Sequence, residues 1–266
     1  MHAKEIETAP QSGALSEFLI RLESAPASAL LLDYDGTLAP FRIERNQAYP
    51  YPEVVPLLEE IVDRGKSRVV IISGRSVVEV KELLSLSKGV EMWGAHGLER
   101  ISADGTYHQP SISLNAAELL SQARDWIAEA GLIALSEIKP GGIAIHWRGM
   151  SGAEAEQVEL RLLEGWAGLA EAPELKLLRF ESGIELRVAR PDKGDAVAAI
   201  MEESGAATEV AYLGDDLTDE DSFRVLNGRG LTVLVRPEYR PTAAQVWLRP
   251  PQELIEFLRQ WLFRIR

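Results

Sequence analysis

Two aspartates separated by one residue, Asp33 and Asp35, follow the apolar run Ala29 to Leu32 and open the segment Asp33-Tyr34-Asp35-Gly36-Thr37. A short apolar run before a polar turn has the character of a buried strand. In an open α/β sheet such a strand delivers the residues after it to the carboxyl edge, where ligands bind. A carboxylate placed there can attack phosphorus, and a second one two residues on can protonate a leaving alcohol and then activate water. Asp33 is thus the candidate nucleophile and Asp35 the candidate acid and base. Gly36 lets the backbone approach a phosphate closely, and Thr37 offers a hydroxyl. Taken alone, these residues also read as an Asp-Gly turn.

Two later segments repeat the pattern of an apolar run ending in polar groups, and a lysine at a helix start stands between them. Arg68 to Ile72 ends in Ser73-Gly74-Arg75, where Ser73 is a candidate donor to a phosphoryl oxygen or an ordinary helix N-cap. Lys193 follows Pro191-Asp192 at a helix start, where a cation is unfavourable without an anionic partner; phosphate and Asp33 would supply one. Val210 to Leu213 leads into Gly214-Asp215-Asp216-Leu217-Thr218-Asp219-Glu220-Asp221. Mg2+ requires hard oxygen ligands. Asp33, the main-chain carbonyl of Asp35 and Asp215 are its candidate ligands, with Asp216 a further candidate and Asp219 another acidic group in reach. Some of these carboxylates also suit the start of a helix near Thr218.

The elements that must position these groups divide the chain. The runs ending at Leu32, Ile72 and Leu213, with Leu231 to Val235, are candidate central strands, and Val54 to Arg64, Ser76 to Leu86, Gly194 to Glu203 and Gln252 to Arg264 are candidate helices. This is a Rossmann-like α/β core with a mainly parallel sheet, formed by residues 1–109 and 190–266. Between them, residues 110–189 read as an inserted α+β domain. Helices over Asn115 to Ala130 and Ala153 to Leu169 alternate with strand pairs at Leu132 to Ile138 and Ile143 to Arg148, and at Leu175 to Phe180 and Ile184 to Val188. Pro140-Gly141-Gly142 and Ser182-Gly183 mark a hairpin in each pair.

Composition narrows the classes. A chain of 266 residues, 46% hydrophobic, has material for packed cores, and a formal charge of -13 disfavours nucleic acid as a partner. With no cysteine, thiolate chemistry is excluded. The mixed polar start shows neither a signal core nor a transit pattern, and no apolar run approaches the roughly 18 residues of a membrane span. The expectation is a cytoplasmic protein with no membrane partner.

In this order, the four polar segments resemble those of the haloacid dehalogenase superfamily, and Asp35 is similar to the acid/base residue of its phosphatases and phosphomutases. Further segments, Gly94-Ala95-His96-Gly97-Leu98-Glu99, Glu137-Ile138-Lys139, His146-Trp147-Arg148 and Gly183-Ile184-Glu185-Leu186-Arg187, resemble the trehalose-6-phosphate phosphatase family. The resemblance implies an aspartyl-phosphate on Asp33, a Mg2+ cofactor, and an inserted cap whose Glu137, Lys139 and Glu185 contact sugar hydroxyls. Gly36, Arg75, His96, Arg148 and Arg187 are further candidates for substrate binding. It also implies a sugar phosphate as substrate and a functional link to a trehalose-phosphate synthase. Val188-Ala189-Arg190 stands where the family has an earlier proline. A phosphatase of sucrose phosphate or mannosylphosphoglycerate, a more distant phosphomannomutase, and a catalytically silent sugar-phosphate sensor remain open alternatives.

Overall fold

The computed structural model describes residues 12–265 except residue 181. Residues 1–11, which carry most of the polar start read above, lie outside the described residues. In chain order α1 (Ser12–Ser24), β1 (Ala27–Leu32), α2 (Val54–Arg64), β2 (Ser67–Ile72), α3 (Val77–Leu84) and β3 (Glu91–Gly94) build the first half of a sheet, extended by β4 (Glu99–Ile101) and β5 (Tyr107–His108). There follow α4 (Leu114–Glu129), β6 (Ser136–Lys139), β7 (Gly142–His146), α5 (Gly152–Gly165), α6 (Ala167–Ala170), β8 (Leu175–Phe180) and β9 (Gly183–Val188). The chain ends with α7 (Lys193–Ser204), β10 (Thr208–Gly214), α8 (Glu220–Leu226), β11 (Leu231–Val235), β12 (Val246–Leu248) and α9 (Gln252–Arg264).

The first sheet has eight strands in the order β12-β11-β10-β1-β2-β3-β4-β5, parallel from β12 to β3 and antiparallel beyond. β1 is central, with Leu30 and Leu32 packed on one face and Ala29 and Leu31 on the other. That two-sided burial is why its sequence is continuously apolar rather than alternating. In α2, Val54, Leu58 and Ile61 recur at helical spacing and are buried against the sheet. Ser76 and Glu79 form a reciprocal cap that starts α3, and Asp192 and Asp195 do the same for α7. These caps fix where the chain leaves the carboxyl edge of the sheet.

The second sheet, β6-β7-β9-β8, is antiparallel throughout. One face buries Ile143, Ile145, Ile184, Leu186 and Leu175 with Leu120, Ile127, Leu162 and Trp166 of the neighbouring helices. Alternation sends Glu137, Lys139, His146, Glu185, Arg187, Lys176, Leu178 and Phe180 to the other face, in facing pairs such as Leu178 with Glu185 and Lys176 with Arg187.

Most expected elements occur within a few residues of their expected ends. The strand expected over Leu132 to Ile138 starts later, because Ile133–Leu135 forms a 3-10 turn and only Ser136–Lys139 pairs. The helix over Ala153 to Leu169 breaks at Trp166 into α5 and α6. α8 begins at Glu220, after a 3-10 turn over Leu217–Asp219. Among the described residues no helix is long and apolar enough to cross a membrane.

The helices on one side of the large sheet meet at Trp261, which is fully buried, contacts the rings of Phe18 and Phe257, and donates from Nε1 to Ser67 Oγ at 2.9 Å. Trp261→Ala is expected to lower unfolding free energy by about 3–5 kcal/mol, as for other large-to-small changes in a tight core. Urea denaturation checks this; a loss under about 1 kcal/mol would mean that the site refills by collapse.

Candidate active site

β1, β2 and β10 lie side by side and parallel, so the residues after each reach one edge together. Asp33 is there, its backbone N–H bonded to the Leu213 carbonyl at 2.9 Å. Its Oδ1 accepts from Lys193 Nζ at 2.6 Å, while Oδ2 is buried with no partner among the described residues. Lys193, the first residue of α7 and 3% exposed, also donates to Asp219 Oδ1 at 2.7 Å. Asp219 is completely enclosed: Oδ1 takes a second bond from the Tyr212 hydroxyl at 2.6 Å, and Oδ2 accepts from the backbone N–H groups of Asp215 and Asp216 at 3.0 and 2.9 Å. It therefore fixes both the lysine and the turn that presents Asp215.

Asp215 is 2% exposed, and its Oδ2 also lacks a hydrogen-bond partner among the described residues, the Arg236 guanidinium lying 4.0 Å away. The turn at Gly36 has φ +79°, and a Cβ there would lie 2.1 Å from that oxygen. Asp33, Asp215 and Asp219 each bring a carboxylate oxygen within 4.8 Å of the others. Burial pushes the Asp33 carboxyl up to about 7 against the pull of Lys193. Burial and the charge of Asp33 raise Asp215 well above the usual carboxylate range. Lys193, with the Arg236 guanidinium 4.0 Å from Asp215 Oδ2, leaves two carboxylate oxygens of this cluster without a hydrogen bond, and those two beside a glycine cradle fit a small cation held by oxygen ligands.

Asp35 differs. Both its oxygens accept from Arg75, Nε at 2.6 Å and Nη2 at 2.7 Å. Burial alone would raise its pKa, but the bonds and charge of Arg75, helped by Arg45 and Arg148, hold it below the usual range. Arg75 is 2% exposed, and its backbone N–H donates to Ser73 Oγ at 3.1 Å, which leaves the Ser73 proton free for a ligand.

These groups form the floor of a cavity of about 90 Å3 roofed by the second sheet, with Lys139, His146, Leu178, Phe180 and Glu185 in its wall. His96 stands between floor and roof, its Nε2 3.0 Å from Glu185 Oε2. A turn with φ +58° aims it, and a Cβ on residue 74 would lie 2.7 Å from its ring, so Gly74 makes the room. Burial lowers His96 to about 4, keeping the ring neutral near pH 7. Although burial opposes its charge, Lys139, 3.3 Å away, and His96 hold Glu185 well below the usual carboxylate range. Burial, with the charges of Arg45, Lys139 and Arg148, lowers His146 to about 3. Glu137 accepts from His146 Nε2 at 2.8 Å and is paired with Arg45.

Residues 31–248 match the family model described as trehalose-phosphatase. The chain belongs to the trehalose-phosphatase family. The trehalose-phosphate phosphatase of Mycobacterium bovis (strain BCG / Pasteur 1173P2) is 30% identical over 245 residues, 86% of this chain and 60% of that protein. The chain thus spans about 60% of the length of that relative and of the Mycobacterium tuberculosis trehalose-phosphate phosphatase it matches equally. The C-terminal domain of the C. albicans trehalose-6-phosphate phosphatase shares the fold with a TM-score of 0.80 at 20% identity, over 97% of this chain and 99% of that one. A haloacid dehalogenase-like hydrolase from Bacteroides thetaiotaomicron aligns with a TM-score of 0.63 at 16% identity, over 88% and 98% of the two chains. The α/β core is of the haloacid dehalogenase type.

In this member of the trehalose-phosphatase family, Asp33, Asp35, Ser73, Arg75, His96, Lys139, Arg148, Glu185, Lys193, Asp215 and Asp216 all line one cavity. Thr37 does not: it is fully buried, and its hydroxyl has no partner among the described residues. Arg187 corrects the sequence expectation, since it lies outside this cavity and donates instead to the carbonyls of Val188 and Pro191 at 2.9 and 3.1 Å. It borders a neighbouring depression with Lys176 and Asp221. Asp216 lines the cavity, but Asp219 completes the close set of three carboxylates. Phe41 and Arg45 line the cavity without having been singled out, because the polar stretch that holds them has neither periodicity nor a motif.

With no cation bound, the raised carboxyls hold protons in the folded state that the unfolded chain has already released above about pH 4. The contribution of Asp33 to stability therefore falls as pH rises from about 4 through 7, with Asp215 acting in the same sense, while His96 and His146, held neutral, contribute in the opposite sense up to about pH 6.5. A cation that binds the ionised carboxylates should raise the melting midpoint more at about pH 8 than at about pH 5. Thermal melting with and without Mg2+ measures this; equal shifts would mean that these carboxylates ionise normally without metal.

Proposed function

We propose that the chain is a phosphatase that hydrolyses trehalose 6-phosphate to trehalose and inorganic phosphate through an aspartyl-phosphate on Asp33, with Mg2+ as cofactor. The observation that carries the reading is Asp33 itself. One oxygen is pinned by Lys193 and the other is unpartnered, 3% exposed as a residue, at the floor of the cavity. Membership of the trehalose-phosphatase family supports the substrate.

In the first half-reaction a carboxylate oxygen of Asp33 forms a bond to phosphorus as the bond from phosphorus to the sugar oxygen breaks. Asp35 delivers a proton to that oxygen, and trehalose leaves. In the second half Asp35 takes a proton from water, whose oxygen attacks phosphorus and returns Asp33 as a carboxylate. Lys193 compensates charge on Asp33, and Ser73 donates to a phosphoryl oxygen. A Mg2+ held by Asp33, Asp215 and the Asp35 carbonyl would offset the charge of these carboxylates and the phosphate. The Arg75 pair keeps Asp35 ionised, which suits the base of the second half. Service as the acid requires that pair to loosen when phosphate enters.

Residues 110–189 act in this reading as a cap over a core of 1–109 and 190–266. A cavity of about 90 Å3 is below the roughly 300–1,000 Å3 of small-molecule sites, so the two must part for a disaccharide phosphate to enter. A link to a trehalose-phosphate synthase enters this reading through the family resemblance rather than through geometry.

Asp33→Asn is expected to remove phosphate release while circular dichroism and melting show a folded protein; substantial residual turnover would exclude the covalent route. Asp35→Asn should lower kcat/KM by about 10²–10⁴, in the range of lost acid and base catalysis. A panel of sugar phosphates at matched concentrations should rank trehalose 6-phosphate first. Preference for sucrose phosphate or mannosylphosphoglycerate would move the substrate and leave the chemistry, whereas binding without phosphate release would identify a sensor.

A further inference from the structure

The face of the second sheet that roofs the cavity is divided by strand. Lys139 on β6 and Glu185 on β9 are charged and lie 3.3 Å apart. β8 instead brings Leu178 and Phe180 to the cavity wall, two residues apart and so on one side of the strand. Neither carries a charge or a side-chain donor, so this strip has nothing to offer the phosphate.

The ring of Phe180 is held in place by its neighbours across the sheet. Gly183 of β9 stands between Phe180 on β8 and His146 on β7. A Cβ on residue 183 would lie 2.1 Å from Phe180 Cζ and 2.2 Å from Cε2, so the phenyl ring occupies space that only a glycine leaves open. On the same row the His146 ring meets it with centroids 5.2 Å apart and planes inclined at 56°. Three strands thus contribute to fixing a ring that is only half-buried. A phenyl ring needed only to fill a core would sit on the opposite face, where Ile145, Ile184 and Leu186 pack against helices. Phe180 is kept on the side that faces the cavity.

A sugar ring has the matching character. Its hydroxyls project around the rim, while its C–H groups form apolar faces that gain by leaving water against an aromatic surface. We propose that Phe180, with Leu178 beside it, is the surface on which a C–H face of the substrate's sugar packs. This rests on the sugar-phosphate reading above and adds to it a residue that recognises the carbon skeleton. Charged groups of the roof are then left to the hydroxyls, and the flat apolar strip orients the ring between them.

The test uses the full chain with Mg2+, assayed on the best sugar phosphate of the panel and on acetyl phosphate, which has neither a sugar nor an aromatic ring that could itself stack. Phe180→Leu and Phe180→Met both keep an apolar side chain over Gly183, remove the flat ring and change no charge; melting curves check that each is folded. In both variants kcat/KM for the sugar phosphate, taken relative to acetyl phosphate, should fall about tenfold, with the loss in KM rather than kcat. If Phe180 serves only to cover Gly183 or to steady His146, the two substrates lose turnover together and the proposal fails. It fails equally if the ratio is unchanged in both variants, or if the loss lies in kcat alone. A wild-type chain that hydrolyses acetyl phosphate but no sugar phosphate would instead overturn the proposed function, and the role of Phe180 with it.

Discussion

Taking a carboxylate out of water carries a penalty of several kcal/mol unless charge and hydrogen bonds replace the lost hydration. This fold takes out Asp33, Asp215 and Asp219 together. The arrangement is tolerable because the three are not equivalent. Asp219 receives the Lys193 ammonium, the Tyr212 hydroxyl and two backbone N–H groups. It is the satisfied member and remains ionised. Lys193 is then shared with Asp33, leaving one oxygen of Asp33 and one of Asp215 without a hydrogen bond, the latter with only the Arg236 guanidinium 4.0 Å away. The rest of the edge is shaped around that deficit: the backbone at Gly36 passes close to Asp215, α7 starts where its first side chain reaches both acids, and Arg75 removes Asp35 from the competition.

The second sheet answers the same problem from above with a different device. Its strands alternate, so one face is apolar and held by helices while the other carries a lattice of charged and aromatic side chains. Glu185 between Lys139 and His96 is the centre of that lattice, and the pairing of His96 with Glu185 joins it to the first sheet. Because His96 and His146 are both held neutral near pH 7, the charge of the roof comes from lysine, arginine and glutamate.

The sequence made the central strands legible because their burial on both faces forces continuous apolar runs, and made the floor legible because its groups directly follow those runs. Asp33, Ser73 and Asp215 were singled out in this way, and Lys193 by its place at a helix start. The roof was visible as a period-two pattern, which identified the face but not the reach of each side chain: Arg187 shares the face of Glu185 yet turns to main-chain carbonyls. Arg45 was invisible for another reason. It sits in an irregular connection, and its place in the cavity wall beside residues of the second sheet, distant in sequence, leaves no local pattern. The enclosure of Asp219 was hidden too, since one acid among several at a helix start looks like a solvated cap.

The neighbours of β1 have a bearing on how the molecule comes into being. Ala27 to Leu32 pairs on one side with β2, which follows soon after, and on the other with Thr208 to Leu213 of β10. During synthesis on the ribosome Asp33 therefore emerges long before Lys193, Asp215 and the strand that covers one edge of β1. Until β10 arrives, that edge is an open row of hydrogen-bonding groups on an apolar segment, the kind of surface that chaperones guard. The inserted segment occupies this interval. A chain that folds its insert first gains a compact unit while the larger sheet waits for its last strands.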